Sequence, residues 1–196
     1  MNALLIAASP AARSRSAALL DAAAGALDRA GVSVRRLPLC ELPAEALLRA
    51  RTGEPPLRDA LELVARADAV VLATPIYKAA YSGLLKAFLD LLPQDGLHGK
   101  WVWPLATGGS PAHTLALDHS LRPVLDNLGA HQVVPTVYAL ESQVVLYGET
   151  GAVYFDADVK RRLDVGAARL ANALESQAHL RQRDERMRLS VVRCSA

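Results

Sequence analysis

The sequence predicts a doubly wound α/β domain, in which a five-stranded parallel sheet is covered by helices on both faces. Two observations carry this prediction. Short apolar runs of strand length alternate with longer helical patterns along most of the 196-residue chain. The third run, over residues 69–74, is almost entirely apolar, which is typical of a strand buried on both faces of a parallel sheet. The pattern shows no internal repeat and no linker, so we expect a single domain.

Each predicted element has its own local signal. Gly31 ends the first helix and Pro93 the third, because neither residue continues a helix readily. Four prolines between residues 38 and 56 indicate an irregular connection before the second helix. The predicted strands cover residues 3–8, 32–37, 69–74, 101–107 and 131–138. The first predicted helix ends at residue 30, and the other four cover residues 57–67, 83–92, 112–128 and 156–177.

The alternation of strands and helices implies right-handed crossovers between parallel strands. Because no sixth strand follows, the flavodoxin-like order 2-1-3-4-5 is favoured over the six-stranded doubly wound arrangement. We expect this domain to cover residues 1–177 and to be followed by a basic, flexible extension over residues 178–196.

Charge and hydropathy argue against several classes of function. The net charge is +2, and residues 181–193 hold five arginines but only two acidic residues. The rest of the chain therefore lacks the basic stripe that binds a nucleic-acid backbone. No apolar run is long enough to span a bilayer and no cleavable leader is evident, so we expect a cytoplasmic protein that binds neither nucleic acid nor membrane. The two cysteines, Cys40 and Cys194, lie far apart and predict no disulfide, and no cluster has metal-ligand spacing.

In an open α/β sheet, ligands bind beyond the carboxyl ends of the strands, where the strand order reverses. That rule selects the loops after the first, third and fourth strands. The first loop, residues 9–16, places Ser9, Ser14, Arg15 and Ser16 ahead of a helix, a pattern typical of a phosphate site. A helix cap with solvated arginines is the alternative. The loop lacks GxGxxG and a P-loop ending, which disfavours a dinucleotide fold and a nucleotide triphosphatase.

The second loop covers residues 75–82 and begins with Pro75, Ile76, Tyr77 and Lys78. Pro75 fixes the direction in which the chain leaves the strand, and Tyr77 and Tyr81 offer flat, amphipathic surface beside Lys78. A planar heterocycle can lie against such a backbone. Ordinary packing of both tyrosines, with a solvated lysine, is the alternative.

The third loop contains Thr107, Gly108 and Gly109. Two successive glycines let the backbone approach a ligand closely and present N–H donors to ring carbonyls, while a simple turn is the alternative. An anion site at the first loop beside a flat surface at the second and third loops matches a phosphorylated ring system such as FMN. A sugar phosphate fits less well, because it does not need the second and third loops. Such a site requires no metal.

At these three loops the sequence resembles the NAD(P)H-dependent FMN reductases of the flavodoxin-like fold. The similarity is greatest to the reductase component of two-component alkanesulfonate monooxygenase systems, and it extends over about residues 1–177. Ala8 stands where this family commonly has glycine. The matching segments are residues 8–10, 14–16, 19–20, 73–83, 89–93, 104–109, 112–113 and 122–125.

The resemblance implies an oxidoreductase that passes a hydride from NAD(P)H, with NADPH preferred, to FMN and supplies FMNH2 to a flavin-dependent monooxygenase. It implies that the three serines and Arg15 of the first loop hold the FMN phosphate, that residues 75–78 contact the ring and ribityl chain, and that residues 107–109 bind the polar edge of the ring. It also implies a homodimer or homotetramer. No catalytic side chain is expected, because alignment of two cofactors suffices for hydride transfer. Arg13 is a candidate contact for the 2′-phosphate of NADPH.

Pro123 lies within the fourth predicted helix and cannot donate a hydrogen bond to the carbonyl of His119. The helix must therefore kink or widen there, and a π-bulge is one known solution. In the resembling reductases an inserted aromatic residue occupies this helix at the subunit interface, and His119 takes its place here. We predict that His119 is an interface residue that affects how tightly flavin is held, with a solvent-facing histidine as the alternative.

Two other functions stay open at this point. An FMN-bound quinone or azo reductase would keep its flavin and follow ping-pong kinetics. A one-electron carrier of the flavodoxin type would accumulate a semiquinone. Such carriers usually present an acidic surface to their partners, whereas the chain without its basic extension is close to neutral.

Overall fold

A parallel sheet forms the centre of the molecule. The computed structural model describes residues 1–148 and 152–193 of the chain, with side chains as far as residue 183. In chain order the elements are β1 (Asn2–Ala7), α1 (Arg15–Arg29), β2 (Ser33–Pro38), α2 (Ala44–Leu48), α3 (Pro55–Arg66), β3 (Ala69–Tyr77), β4 (Ala80–Tyr81), α4 (Gly83–Leu89), β5 (Trp101–Gly108), α5 (Ala116–Ser120), α6 (Arg122–Asn127), β6 (Gln132–Val133), β7 (Val137–Leu140), β8 (Val144–Leu146), β9 (Val153–Phe155) and α7 (Ala157–Arg193).

The strands of the central sheet lie in the order β2-β1-β3-β5, and β5 then pairs with both β6 and β7. All of these pairings are parallel. The predicted flavodoxin-like order 2-1-3-4-5 is therefore confirmed, with β5 as the fourth predicted strand. The fifth predicted strand is divided into β6 and β7, and Pro135 lies between them. Proline has no N–H for a strand ladder, which explains the division.

Alternate residues of each strand supply two apolar cores, one on each face of the sheet. Leu72 of β3 faces the layer that contains α3 and α4, where Phe88 is fully buried. Its neighbour Val71 faces the opposite layer, in which α1 and α7 pack together. Trp103 of β5 belongs to this second core and is also fully buried. The sheet is thus covered by helices on both faces, as the continuous apolar runs predict.

Helix α1 ends within one residue of the predicted end, but it begins at Arg15, so the last two residues of the predicted first loop form its first turn. The Oγ of Ser14 accepts a hydrogen bond from the N–H of Ala17 at 3.1 Å, which caps the first turn. Gly31 follows the helix with a φ of 77°, a left-handed conformation that glycine adopts without strain.

The prediction of a loop over residues 75–82 is wrong in one respect, because most of this segment forms a β-hairpin. β3 continues to Tyr77 and turns back through β4, with Tyr77 paired to Ala80. The two turn residues, Lys78 and Ala79, have φ values of 50° and 61°. A two-residue hairpin turn favours such left-handed residues but usually takes them from glycine or asparagine, so the sequence carries no hairpin signal here.

A second antiparallel hairpin, β8–β9, pairs Val144 with Phe155 and was not predicted. The short helix α2 was also not predicted. The fourth predicted helix is interrupted at Leu121 between α5 and α6, and Pro123 is the second residue of α6. The predicted distortion at Pro123 is therefore confirmed, and it takes the form of a break between two α-helices.

The last helix does not end near residue 177 as predicted, because α7 continues to Arg193. Neither glycine nor proline occurs after Gly166 to stop it, and arginine is a good helix former. Arg181 of this helix lies 3.0 Å from Asp68 in an ion pair. Cys194 lies outside the described residues, whereas Cys40 is a free, half-buried thiol. No helix in the described part of the chain is long and apolar enough to cross a membrane.

The contact between α7 and β5 yields a prediction of stability. A Cβ on Gly166 would lie 2.3 Å from Cζ2 of Trp103, so Gly166→Ala must displace a fully buried indole. We expect the variant to lose about 1–3 kcal/mol of unfolding free energy. The matched control is Gly25→Ala in α1, where the nearest atom lies 3.5 Å away.

Chemical denaturation of both variants measures the difference. Gly25→Ala is expected to gain about 0.5–1 kcal/mol, since alanine is the better helix former in an unhindered position. Equal stability of the two variants would contradict the packing of α7 on β5.

Candidate functional site

The three predicted loops leave neighbouring strands at one edge of the sheet. The parallel register places Ala7 of β1 beside Ala73 of β3, and Pro75 of β3 beside Thr107 of β5. The first, second and third loops therefore meet beyond the carboxyl ends of β1, β3 and β5. This is the edge that the topology of an open α/β sheet assigns to ligands.

Buried polar side chains are concentrated at this edge. Among the residues whose side chains are described, the buried polar or charged side chains all belong to the three loops or to the strand ends that lead into them: Ser9, Ser16, Thr74, Ser82 and Thr107. Burying a hydroxyl costs free energy unless a hydrogen bond satisfies it. Because these side chains are concentrated at one edge of the sheet, we take that edge as the candidate functional site.

The first loop wraps around the N-terminal end of α1. The Oγ of Ser9 accepts from the N–H of Ala11 at 3.2 Å, and the hydroxyls of Ser14 and Ser16 lie 3.2 Å apart. The first N–H groups of a helix have no carbonyl partner in a preceding turn, and they carry the positive end of the helix dipole. The helix cap that was the alternative interpretation of this loop is present at Ser14.

Both arginines of the first loop contact the segment between β7 and β9. Nε of Arg15 donates to the carbonyl of Val144 at 3.2 Å, and its Nη1 lies 3.4 Å from Oε2 of Glu141. Nη2 of Arg13 donates to the carbonyl of Tyr147 at 3.0 Å. The guanidinium of Arg15 is thus held at the site but already shares its charge with a carboxylate.

The β3–β4 hairpin forms the second wall of the site. Ile76 is buried and Pro75 half-buried, whereas the side chain of Tyr77 is 51% exposed. Lys78 is exposed at the left-handed turn. Left-handed non-glycine residues cost conformational energy and are concentrated at functional sites. The hairpin therefore presents an exposed aromatic ring, rather than a core residue, at the edge of the sheet.

A hydrogen-bond network joins the first and second loops. Oγ of Ser82 donates to the carbonyl of Ala8 at 2.6 Å and accepts from the N–H of Leu85 at 3.2 Å. The N–H of Ser82 in turn donates to Oγ1 of Thr74 at 3.0 Å. One buried hydroxyl thus caps α4 and fixes the residue that precedes the first loop.

The third loop is shaped by Tyr138 of β7. A Cβ on Gly108 would lie 2.5 Å from Oη of Tyr138, so any larger residue at this position must displace the phenol. Oη of Tyr138 donates to the carbonyl of Ser110 at 2.7 Å, and burial raises the pKa of Tyr138 above its ordinary value. The phenol therefore keeps the proton with which it holds the loop. By contrast, a Cβ on Gly109 meets nothing closer than 3.7 Å, at Oε1 of Glu141.

Several residues at this edge were not predicted from the sequence. Ser82 precedes a helix, a position that indicates a cap, but its bond to Ala8 spans 74 residues. Tyr138 and Glu141 likewise reach the site from distant parts of the chain. His113 ends the segment of the third loop in the sequence, and its Nδ1 is buried without a hydrogen-bond partner. No local pattern indicates these contacts.

His119 lies on the surface of α5, a helix that packs against β4, and its side chain is exposed. Its predicted place at a subunit interface stays a prediction. Within the described part of the chain, no group of three or more His, Cys, Asp or Glu side chains is placed to hold a metal ion.

The arrangement fits a phosphorylated ring. The first loop combines a helix N-terminus with Arg15 and small hydroxyl side chains, which suits a phosphate. The backbone at Gly109 is open to close approach, and the exposed ring of Tyr77 offers apolar surface near the same edge. Together, the fold and this edge are those of a doubly wound protein with a site suited to a flavin-type ligand at the carboxyl ends of its strands.

Comparison with known proteins makes the class specific. The family model described as NADPH-dependent FMN reductase matches residues 1–144. The chain is 42% identical over 174 residues to the FMN reductase (NADPH) of Escherichia coli, covering 89% of this chain and 90% of that protein. It is 46% identical over 136 residues to the FMN reductase (NADPH) of Pseudomonas putida, covering 69% of each. The chain belongs to the NADPH-dependent FMN reductase family.

A solved structure agrees with this assignment. The apo form of an NADH:FMN oxidoreductase superposes with a TM-score of 0.78 at 40% sequence identity, covering 88% of this chain and 89% of that one. The predicted family, the flavodoxin-like fold and the NAD(P)H-dependent FMN reductase class, with FMN and NAD(P)H as its cofactors, are therefore confirmed. The individual ligand contacts of the three loops stay predictions.

The Ser82 network yields a prediction that is independent of any ligand. Ser82→Ala removes a helix cap and leaves the carbonyl of Ala8 without its donor. We expect a loss of about 1–3 kcal/mol of unfolding free energy. Ser110→Ala is the matched control, because Ser110 caps a short, more exposed turn by accepting from Ala112 at 3.2 Å, and it is expected to cost only about 0.5 kcal/mol.

Denaturant titration of the two variants compares these costs. A Ser82→Ala protein as stable as the Ser110→Ala protein would contradict a structural role for the buried hydroxyl.

Proposed function

We propose that this protein transfers a hydride from NADPH to FMN and releases FMNH2 to a flavin-dependent monooxygenase of the alkanesulfonate type. The observation that supports this most is the concentration of buried hydroxyl side chains around the first, second and third loops. FMN supplies the hydride acceptor when bound, and a proton from water completes its reduction. The chain binds and aligns the two cofactors, a task that needs no acid–base dyad.

The residues of the site divide into three roles in this proposal. The hydroxyls of Ser9, Ser14 and Ser16, together with Arg15, hold the phosphate at the N-terminal end of α1. Pro75, Ile76, Tyr77 and Lys78 contact the ring and the ribityl chain. Thr107, Gly108 and Gly109 bind the polar edge of the ring with backbone donors. In this assignment, the full set of flavin contacts is Ser9, Ser14, Arg15, Ser16, Pro75, Ile76, Tyr77, Lys78, Thr107, Gly108 and Gly109.

The hydride donor is NADPH in this proposal. Both bacterial relatives described above carry NADPH in their names. Arg13 offers an exposed guanidinium at the first loop, held by the carbonyl of Tyr147, and it is the candidate contact for the 2′-phosphate. A guanidinium is suited to a bidentate contact with phosphate oxygens.

Steady-state kinetics test the activity and the phosphate site together. We expect purified protein to oxidise NADPH only when flavin is added, with a lower KM for FMN than for riboflavin. Arg15→Gln removes a charge-assisted contact, so the KM for FMN rises roughly tenfold while that for riboflavin is unchanged. The matched control is Arg29→Gln at the other end of α1, where Arg29 pairs with Asp164 at 3.2 Å, and it changes neither value. Absence of FMN-dependent NADPH oxidation would refute the proposed activity.

The active form in this proposal is a homodimer or homotetramer whose interface includes α5. Leu115 is 58% exposed, and the exposed His119 lies four residues later, on the same side of the helical segment. An exposed leucine beside an exposed imidazole suits a contact with a second copy of the chain.

Sedimentation velocity tests this interface. Leu115→Asp places a charge on the α5 surface and is expected to shift the protein to a smaller species, with weaker flavin binding. The control is Leu48→Asp, since Leu48 is 78% exposed on α2 and no interface is assigned to that surface. Dissociation by Leu48→Asp but not by Leu115→Asp would contradict the proposed interface.

A further inference from the structure

Glu141 stands at the junction of the first and third loops. It follows β7 directly, and its carboxylate faces the guanidinium of Arg15, with Oε2 3.4 Å from Nη1. Its other oxygen, Oε1, would lie 3.7 Å from a Cβ on Gly109. A negative charge therefore sits between the loop assigned to the phosphate and the loop assigned to the ring edge.

The backbone around Glu141 is held in place. The N–H of Leu140 donates to Oε1 of Gln143 at 3.0 Å, and the carbonyl of Gln143 accepts from Asp156 at 2.9 Å. Val144, which follows Gln143 in the chain, is fully buried. The carboxylate is thus carried by an ordered short turn and does not depend on a free loop for its position.

Arg15 cannot give its full charge to a phosphate while Glu141 remains beside it. Its Nε is committed to the carbonyl of Val144, and its Nη1 faces the carboxylate. A phosphate bound at the end of α1 must share the guanidinium with Glu141 or displace it, and the two anions repel each other. Either outcome weakens the binding of a phosphorylated flavin.

We propose that Glu141 is an affinity-setting residue that competes with the flavin phosphate for Arg15 and so favours release of FMN and FMNH2. The inference rests on the proposed function, because it requires a phosphate at the first loop. It assigns to this chain a means of treating flavin as a substrate that leaves, rather than as a permanently bound group. The competition acts on the phosphate, so binding of riboflavin is unaffected.

The size of the effect follows from exposure. The side chains of Arg15 and Glu141 are 42% and 52% exposed, and ion pairs between such groups contribute little in water. Glu141→Gln keeps the shape and hydrogen-bonding capacity of the side chain but removes its charge. We expect it to lower the Kd for FMN roughly two- to fivefold.

Fluorescence titration of purified protein with FMN and with riboflavin, in the absence of NADPH, tests the proposal. The expected result is tighter FMN binding by Glu141→Gln and an unchanged Kd for riboflavin. The matched control is Asp164→Asn, which removes one negative charge from the Arg29–Asp164 pair at the far end of α1 and leaves both constants unchanged. An unchanged or raised Kd for FMN in Glu141→Gln, or equal tightening of both flavins, overturns the proposal.

The unmodified protein separates this result from failure of the proposed function. If it binds FMN more tightly than riboflavin, the phosphate site exists, and the Glu141→Gln result alone decides the inference. If both the unmodified protein and Glu141→Gln bind the two flavins equally, the phosphate assignment fails and the inference fails with it.

Discussion

The short hydrogen bond from Ser82 to the carbonyl of Ala8 is the constraint on which the geometry of the site depends. It joins the end of β1 to the start of α4 across 74 residues of sequence. Because Ser82 also bonds to Thr74 within β3, a few buried atoms set the spacing of the first and second loops. The third loop is added by strand register, since β3 pairs with β5 as far as Thr107. A site built on strand ends in this way is more rigid than one built on loops alone.

The distribution of polar groups separates the structural from the functional part of the molecule. The two faces of the sheet bury apolar side chains, and the described buried hydroxyls lie at the carboxyl edge. The strained turn at Lys78 and Ala79 lies at the same edge. Proteins concentrate buried polar groups and backbone strain where a ligand is bound. The apolar faces supply the stability that offsets the cost of buried hydroxyls and a strained turn at this edge.

The sequence predicts those parts of the structure that depend on local patterns. The strand order follows from alternating apolar runs, and the break in the α5–α6 segment follows from Pro123. The β3–β4 hairpin could not be predicted, because Lys78 and Ala79 are not residues that favour a left-handed turn. The contact between Arg15 and Glu141 is non-local and has no sequence signal. The loop motifs predict which residues lie at the carboxyl edge of the sheet. Only the tertiary structure shows which of their side chains contact one another.

The proposed flavin site lies at the carboxyl edge of the sheet. A cavity of about 540 Å³ lies elsewhere, lined by residues that include Asn2, Ser33 and Arg66 at the opposite ends of the strands. Amide hydrogen exchange with and without FMN compares the two locations directly. With flavin at the carboxyl edge, we expect protection in residues 9–16, 75–78 and 107–109, and no change around Ser33 and Arg66. Protection around Ser33 and Arg66 without protection of the three loops would contradict this placement.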